Sequence, residues 1–328
     1  MTTTTTLLKY SLTYACLLVV GFLTTRHIQF ILALALIYSL VVIGLVILIG
    51  YAGLVSFGQG AFYAIGGYTV GLMIKYFGIQ SAEILLILGI LTSTVASFII
   101  GLLCTRTRRL AFAMITLAFS MIIYTILLKF YRITGGTDGL RIPLLKFGGV
   151  FPVRGYSLSL FNVTNEYFII VTVFLFILFL SERFIHSPIS YTLRAIKDAE
   201  IKAVSLGISP TKAYLIAFTY AGFLAGLAGT LYAFLNAHID PLMTYWTTSA
   251  EFVFIAILGG ASGILGAVFA SILFLFLKTY LLAYTAYYWQ FAIGIIFLLI
   301  ILLAPSGLTG IIDRVIRSFK KVLTKPQT

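Results

Sequence analysis

The chain has 328 residues, 61% of them hydrophobic and only 9% charged, with a formal net charge of +13 and a mean hydropathy of +1.11. Apolar runs of about 20 residues, the length that crosses ~30 Å of hydrocarbon at ~1.5 Å per residue, recur along it. This excludes a soluble core and points to an all-α, polytopic transmembrane helical bundle forming a single domain over 1–328. Nucleic acid is no partner for the positive charge, because the basic residues fall in short loops and at the C-terminus, where the positive-inside rule places them.

In chain order the predicted elements are as follows. Residues 1–10, followed by an apolar run to Leu23, imitate a signal peptide. No small-residue cleavage site stands out and a second span follows at once, so 7–24 reads as the first helix. Ordinary spans are predicted at 28–49, 82–104, 110–131, 165–182, 213–236, 263–282 and 288–304. Two segments are abnormal: 50–75, which opens GYAGLVSFGQGAFYAIGG, and the short piece 251–262, which ends LGGAS. About ten membrane segments result. A long loop, 132–164, a polar stretch, 183–212, and a basic tail, 305–328, lie between or beyond them.

Charge sets the expected orientation. With the N-terminus inside, Lys9, Arg106, Arg108, Arg109, the five cations of 183–212 and the five of the tail are cytoplasmic, 14 of the 22 Lys and Arg. The loop 132–164, with Arg132, Arg141, Lys146 and Arg154, is then external. The tail returns inside only if an odd number of crossings follows 237–250. Either 251–262 is a short crossing or 288–304 is not one.

The two Gly-broken segments mark where a solute would travel. Irregular backbone at membrane depth leaves N–H and C=O groups unpaired unless protein or a watery cavity satisfies them. Short or Gly-interrupted segments at corresponding positions of two halves point to a central path. Gly50, Gly53, Ser56, Phe57, Gly58 and Gln59 in the first segment, and Glu251, Gly259, Gly260 and Ser262 in the second, are the candidates to line it. Close helix packing is the alternative reading of such glycines, and it is the preferred one for Gly222 and Gly226.

Ionisable groups within the apolar runs are scarce. Only Glu251, and Glu83 at the start of a span, approach the core, with no carboxylate or histidine chain for ion coupling. Glu251 reads either as a helix cap or as a gating residue. Cys16 and Cys104 sit inside apolar runs, which suits packing and not a disulfide framework. His27, His186 and His238 are isolated, so no metal site is expected. No catalytic constellation and no GxxxxGK[ST] phosphate loop occurs, so this chain is expected to be no enzyme and to take any ATP energy from a partner.

The polar stretch carries a helix. Pro188 and Ser190 are start signals, and Leu193, Ile196, Ala199, Ala203 and Leu206 follow at steps of three or four, forming one face. Arg194, Lys197, Asp198 and Lys202 cover the rest, and Gly207 ends it before Ser209-Pro210. Such a helix either docks a partner or lies at the lipid headgroups.

Five ordered motifs resemble a known family: GYAGLVSFGQGAFYAIGGYT at 50–69, RLAFAMITLAF at 109–119, TGGTDGL at 134–140, SPISYTLRAIKDAEIKAVSLGIS at 187–209 and LGGASGILGAVFAS at 258–271. Together they resemble the LivM type of permease from ABC importers of branched-chain amino acids, over about 33–310. The resemblance implies a prokaryotic plasma-membrane complex of two permeases (the second of LivH type, or another copy), two ATPases that carry ATP and Mg, and an extracytoplasmic solute-binding protein. It implies no cofactor in this chain. The loop with Glu200, Ala203 and Gly207 in an EAA-type pattern would dock the ATPase through Leu193–Leu206. The external Thr134, Gly136, Asp138 and Gly139, with the loop around Asp240, would meet the binding protein, though Asp138 also suits a plain turn. Ser190 and Gln59 stand where relatives often carry Gly and His. Urea and short-chain amide importers share the permease type, and a channel or secondary carrier would use the same broken helices.

Overall fold

The computed structural model describes residues 24–143, 163–260, 263–284 and 287–303, with Gly21, Leu145 and Gly307. The predicted first helix, all but the ends of the external loop, Ser262 and the basic tail lie outside the described residues, Gly21, Thr24, Leu145 and Gly307 apart.

The architecture is all-α. α1 (Arg26–Val46) continues into a π-helical turn, Ile47–Ala52, and is followed by α2 (Gln59–Phe77), α3 (Ala82–Cys104) and α4 (Arg109–Lys129). A single turn, α5 (Tyr131–Thr134), precedes α6 (Val163–Ile185) and α7 (Pro188–Ser205). Then come α8 (Pro210–Asn236), α9 (Trp246–Gly259), α10 (Ile264–Tyr284) and α11 (Trp289–Leu303). Among the described residues six helical runs are long and apolar enough to cross a membrane, and Trp246–Gly259 and Trp289–Leu299 are shorter apolar helices. The nine predicted segments after the first thus meet six long candidates and further shorter helices among the described residues.

Two sets of four helices share one plan. α1–α4 and α8–α11 each begin with a long helix, pass through irregular backbone into a shorter helix, and end with two further helices. Their packing corresponds: α3 lies on α8 as α10 lies on α1, and α2 on α8 as α9 on α1. The first break is residues 53–58. The second lies at 237–245, ahead of α9, and includes a 3-10 turn, Pro241–Thr244, and the left-handed Ala237. The sequence places the second irregularity only at the glycines of 258–263, and Glu251 at a helix start. The structure corrects both: Tyr245 is the N-cap of α9, and Glu251 lies in its second turn.

Hydropathy does not separate buried from lipid-facing sides here, because both are apolar; small residues do. The buried stripe of α3 includes Gly89, Ser93, Ser97 and Gly101 at steps of four, while Ile87, Leu91, Phe98 and Leu102 face outward. Ser93 Oγ donates to the carbonyls of Phe62, at 3.1 Å, and Gly222, at 3.0 Å. A Cβ on Gly222 or Gly226 would fall on Ser97 or Ser93, and one on Gly66 on the carbonyl of Gly226. Close approach requires glycine there, as the packing reading predicts. α1, apolar all round, is buried from Ile31 through Leu48 except Leu34 and Tyr38.

α8 spans the bundle. One end carries α7; the other carries a two-stranded ribbon in which Leu140 pairs with Ile239 and Arg141 with His238.

Candidate functional site: two broken helices and the helix beneath them

The two breaks meet inside the bundle. Gly60 N–H donates to Ser249 Oγ at 3.0 Å, and Ser120 Oγ donates to the Thr244 carbonyl at 2.7 Å. A Cβ on Gly60 would strike Ser249 Oγ and the Met243 carbonyl. Phe57 N–H donates to Thr116 Oγ1 at 3.2 Å, and Gly58 N–H to Ser56 Oγ at 3.2 Å. Hydroxyls from α4, α9 and the break's own Ser56 therefore satisfy backbone donors at the first break, as membrane burial requires. Ser56 and Gln59 are fully buried. Neither polar atom of the Gln59 carboxamide has a hydrogen-bond partner. A buried, unpartnered amide beside the start of α2 is the costly, unfilled polar position of this seam.

The predicted path residues that are described divide among four places. Ser56, Phe57, Gly58 and Gln59 line the seam. Gly50 and Gly53 lie against α7, at the opposite side of the break. Glu251 points elsewhere: both its oxygens accept from Lys278 Nζ, at 2.9 and 2.7 Å, beside a cavity between α9 and α11. Gly259 packs on the backbone of Gly266, and Gly260 lies beside Gly307. Thr116, Ser120, Ser249 and Lys278 went unnoticed in the sequence. Lys278, a single charge inside ILFLFLKTYLL, carried a readable signal.

α7 is seated by its apolar face. Leu193, Ile196 and Ala203 are buried in the protein's own core, so they hold the helix in place and do not face outward. Pro188 stands at N1. At Ala199 the backbone leaves helical geometry (φ −153°, ψ 77°), which breaks the predicted single face. Past this kink Leu206 turns outward, 82% exposed, with Ile201 at 85% and Val204 at 52%. Gly207, at φ +81°, closes the helix: its N–H reaches the Val204 carbonyl and that of Ile208 the Ala203 carbonyl, a Schellman cap. Ile201, Val204 and Leu206 thus form an apolar patch where the helix ends.

Three contacts tie α7 to the bundle. Lys197 Nζ donates to the Gly50 carbonyl at 2.6 Å, and the Arg194 guanidinium lies 4.4 Å from the centroid of the Tyr51 ring. Glu200 pairs with Arg108 at 2.8 Å, so this residue of the EAA-type pattern links α7 to the α3–α4 turn.

At the ribbon end, Thr134 is buried and its hydroxyl donates to the Leu127 carbonyl, while Gly136 is buried beneath Tyr131. Gly139, at φ +67°, leaves no room for a side chain against the Ile239 carbonyl and Asp240. The motif is therefore held directly beside Asp240, which accepts from Leu242 N–H at 2.8 Å. Asp138 is exposed and accepts from the Tyr131 phenol at 3.1 Å; this hydrogen bond holds the phenol's pKa above its ordinary value. Among the described residues no group of His, Cys, Asp and Glu is arranged to hold a metal ion.

Comparison with known proteins adds a second line of observation. The family described as "Branched-chain amino acid transport system / permease component" matches residues 27–302. The high-affinity branched-chain amino acid transport system permease protein LivM of Salmonella typhimurium is 30% identical over 88% of this chain and 71% of its own. LivM of Escherichia coli is 29% identical over the same shares. The permease protein LivH of Salmonella typhimurium is 24% identical over 83% of this chain and 91% of its own. No solved structure matches the chain.

Proposed function

The chain belongs to the family of branched-chain amino acid transport permeases, and from that premise we propose that it is the membrane-spanning permease subunit of an ATP-driven importer of branched-chain or other apolar amino acids. It forms the translocation path together with a second permease and draws its energy from a separate ATPase docked on the cytoplasmic side.

One observation carries this reading. α7 ends in an exposed apolar patch, Ile201, Val204 and Leu206, outside the bundle, while its other face grips the π turn that leads into the first break. A partner that covers the patch and moves α7 also moves Gly50 and Tyr51. The seam of the two breaks then opens by a shift of one half against the other, the alternating access expected of paired broken helices. On the far side, the ribbon with Asp138 and Asp240 is the surface offered to a solute-binding protein. The chain is in this reading a multi-pass protein of a prokaryotic plasma membrane, with α7 and both termini inside.

The test is uptake of leucine into proteoliposomes holding this chain with its ATPase, second permease and binding protein. Uptake that requires enclosed ATP supports the reading; equal uptake without nucleotide contradicts it.

A second reading has its own observation. The unpartnered Gln59 carboxamide offers both donor and acceptor to a urea or short-chain amide. Competition of urea or acetamide with leucine in the same vesicles separates the two.

A further inference from the structure

The cavity between α9, α10 and α11 has a volume of about 580 Å³ and is walled by Phe254, Phe274 and Phe297. The Phe274 and Phe297 rings stack with centroids 5.7 Å apart. Glu251 lies in its wall, paired with Lys278, and the ammonium of Lys278 is also 5.0 Å from the centroid of the Trp289 ring. The two charged side chains are 22% and 20% exposed. Among the described residues each has the other as its only ionic partner.

A largely buried ion pair between two apolar helices is not explained by packing. Withdrawing two charges from water costs more than a well-packed apolar pair of the same volume, and charged residues inside spans mark functional pathways. What the pair adds is two opposite charges in direct contact, beside an aromatic wall.

We propose that this cavity is a binding site for a zwitterionic amino acid with an apolar side chain. This rests on the importer reading and adds to it a substrate site apart from the seam of the two breaks. The ligand's ammonium takes the place of Lys278 on Glu251, and its carboxylate takes the place of Glu251 on Lys278. One ion pair becomes two and the net charge stays zero. One carbon joins the ammonium and the carboxylate of an α-amino acid, so the two groups reach neighbouring side chains of opposite charge, which part to admit them. The side chain rests on Phe254, Phe274 and Phe297, where a polar side chain would be stranded without partners. The cavity is larger than any one aliphatic side chain, so selection is by polarity and not by size. Valine, leucine, isoleucine and phenylalanine are all accepted, and serine and glutamate are not.

A zwitterionic lipid such as phosphatidylethanolamine shares this chemistry, and the experiment separates the two. Both tryptophans of the chain, Trp246 and Trp289, line the cavity, so tryptophan emission, excited selectively over the tyrosines, reports on it. The full-length chain in lipid-free detergent is titrated with L-leucine, with 3-methylbutylamine and with 4-methylpentanoate. A saturable change is expected with leucine, weakened about tenfold or more for either half-molecule, retained in Glu251→Asp and absent in the neutral pair Glu251→Gln/Lys278→Met. In the complete complex the neutral pair is expected to reduce leucine uptake by about tenfold or more while still retaining the ATPase. Uptake equal to the native chain's in the neutral pair would mean a merely structural ion pair and overturn the proposal. So would emission that answers phosphatidylethanolamine but not leucine. If the native complex shows no ATP-driven uptake while leucine still shifts the emission, the importer reading fails and the site stands.

Discussion

Lys197 on α7 donates its ammonium to the carbonyl of Gly50 in the π turn of α1, across 147 positions of chain, at 2.6 Å. The carbonyl lies at the last turn before the first break, where a π turn leaves acceptors free of their usual helical partners. The bond therefore joins the helix that ends in the exposed patch to the segment that leads into the seam.

Lys197→Met keeps the stem of the side chain and removes the bond. ATPase recovery with the purified complex should be unchanged, while transport per ATP hydrolysed should fall several-fold. Parallel assays of ATPase activity and leucine uptake check this; loss of the ATPase itself would show that Lys197 acts in docking.

The Gln59 carboxamide is buried with both polar atoms unpaired. Gln59→Leu removes that burden and should stabilise the chain by about 1–3 kcal/mol, read as a higher thermal midpoint in detergent. Uptake should fall in the same variant. Lower stability would mean that Gln59 supports the fold.

Ser249→Ala strands the Gly60 N–H at the meeting of the two breaks. A buried donor left unpaired costs about 1–3 kcal/mol. Thermal unfolding should register this, and Ser249→Thr, which keeps an oxygen, should recover part of it.

Gly66→Ala places a methyl on the Gly226 carbonyl, so α2 and α8 must separate. Overpacking of this kind costs about 1–3 kcal/mol. Gly78→Ala is the control: it stands at φ +64° with nothing nearby, and only the left-handed backbone term, about 1–2 kcal/mol, applies. A midpoint lowered no further in Gly66→Ala than in Gly78→Ala would contradict the packing.

The sequence makes the long helices legible because membrane burial forces unbroken apolar runs. Residues 82–104 coincide with α3 at both ends, and 213–236 differs from α8 only by the polar first turn from Pro210. The first break was readable from its glycines. The second was not, since 237–245 has the composition of an ordinary loop and its place inside the bundle appears only when Ser120 and Gly60 meet it. Periodicity placed Leu206 with Leu193 and Ile196, because a kink at Ala199 carries no Gly or Pro. Of the site, Gln59 and Ser56 were legible as polar residues among glycines. Lys278, the partner of Glu251, lies 27 positions away and only tertiary packing joins them.

Co-purification tests the central claim most directly. The tagged chain is extracted in mild detergent with its ATPase, comparing the native sequence with Ile201→Glu and Leu206→Glu, which place charge on the exposed patch while leaving Leu193, Ile196 and Ala203 seated. ATPase recovered with the native chain and lost with both variants, at unchanged thermal midpoint, is the expected result. Equal recovery of the ATPase from native and variant chains would contradict docking through the end of α7.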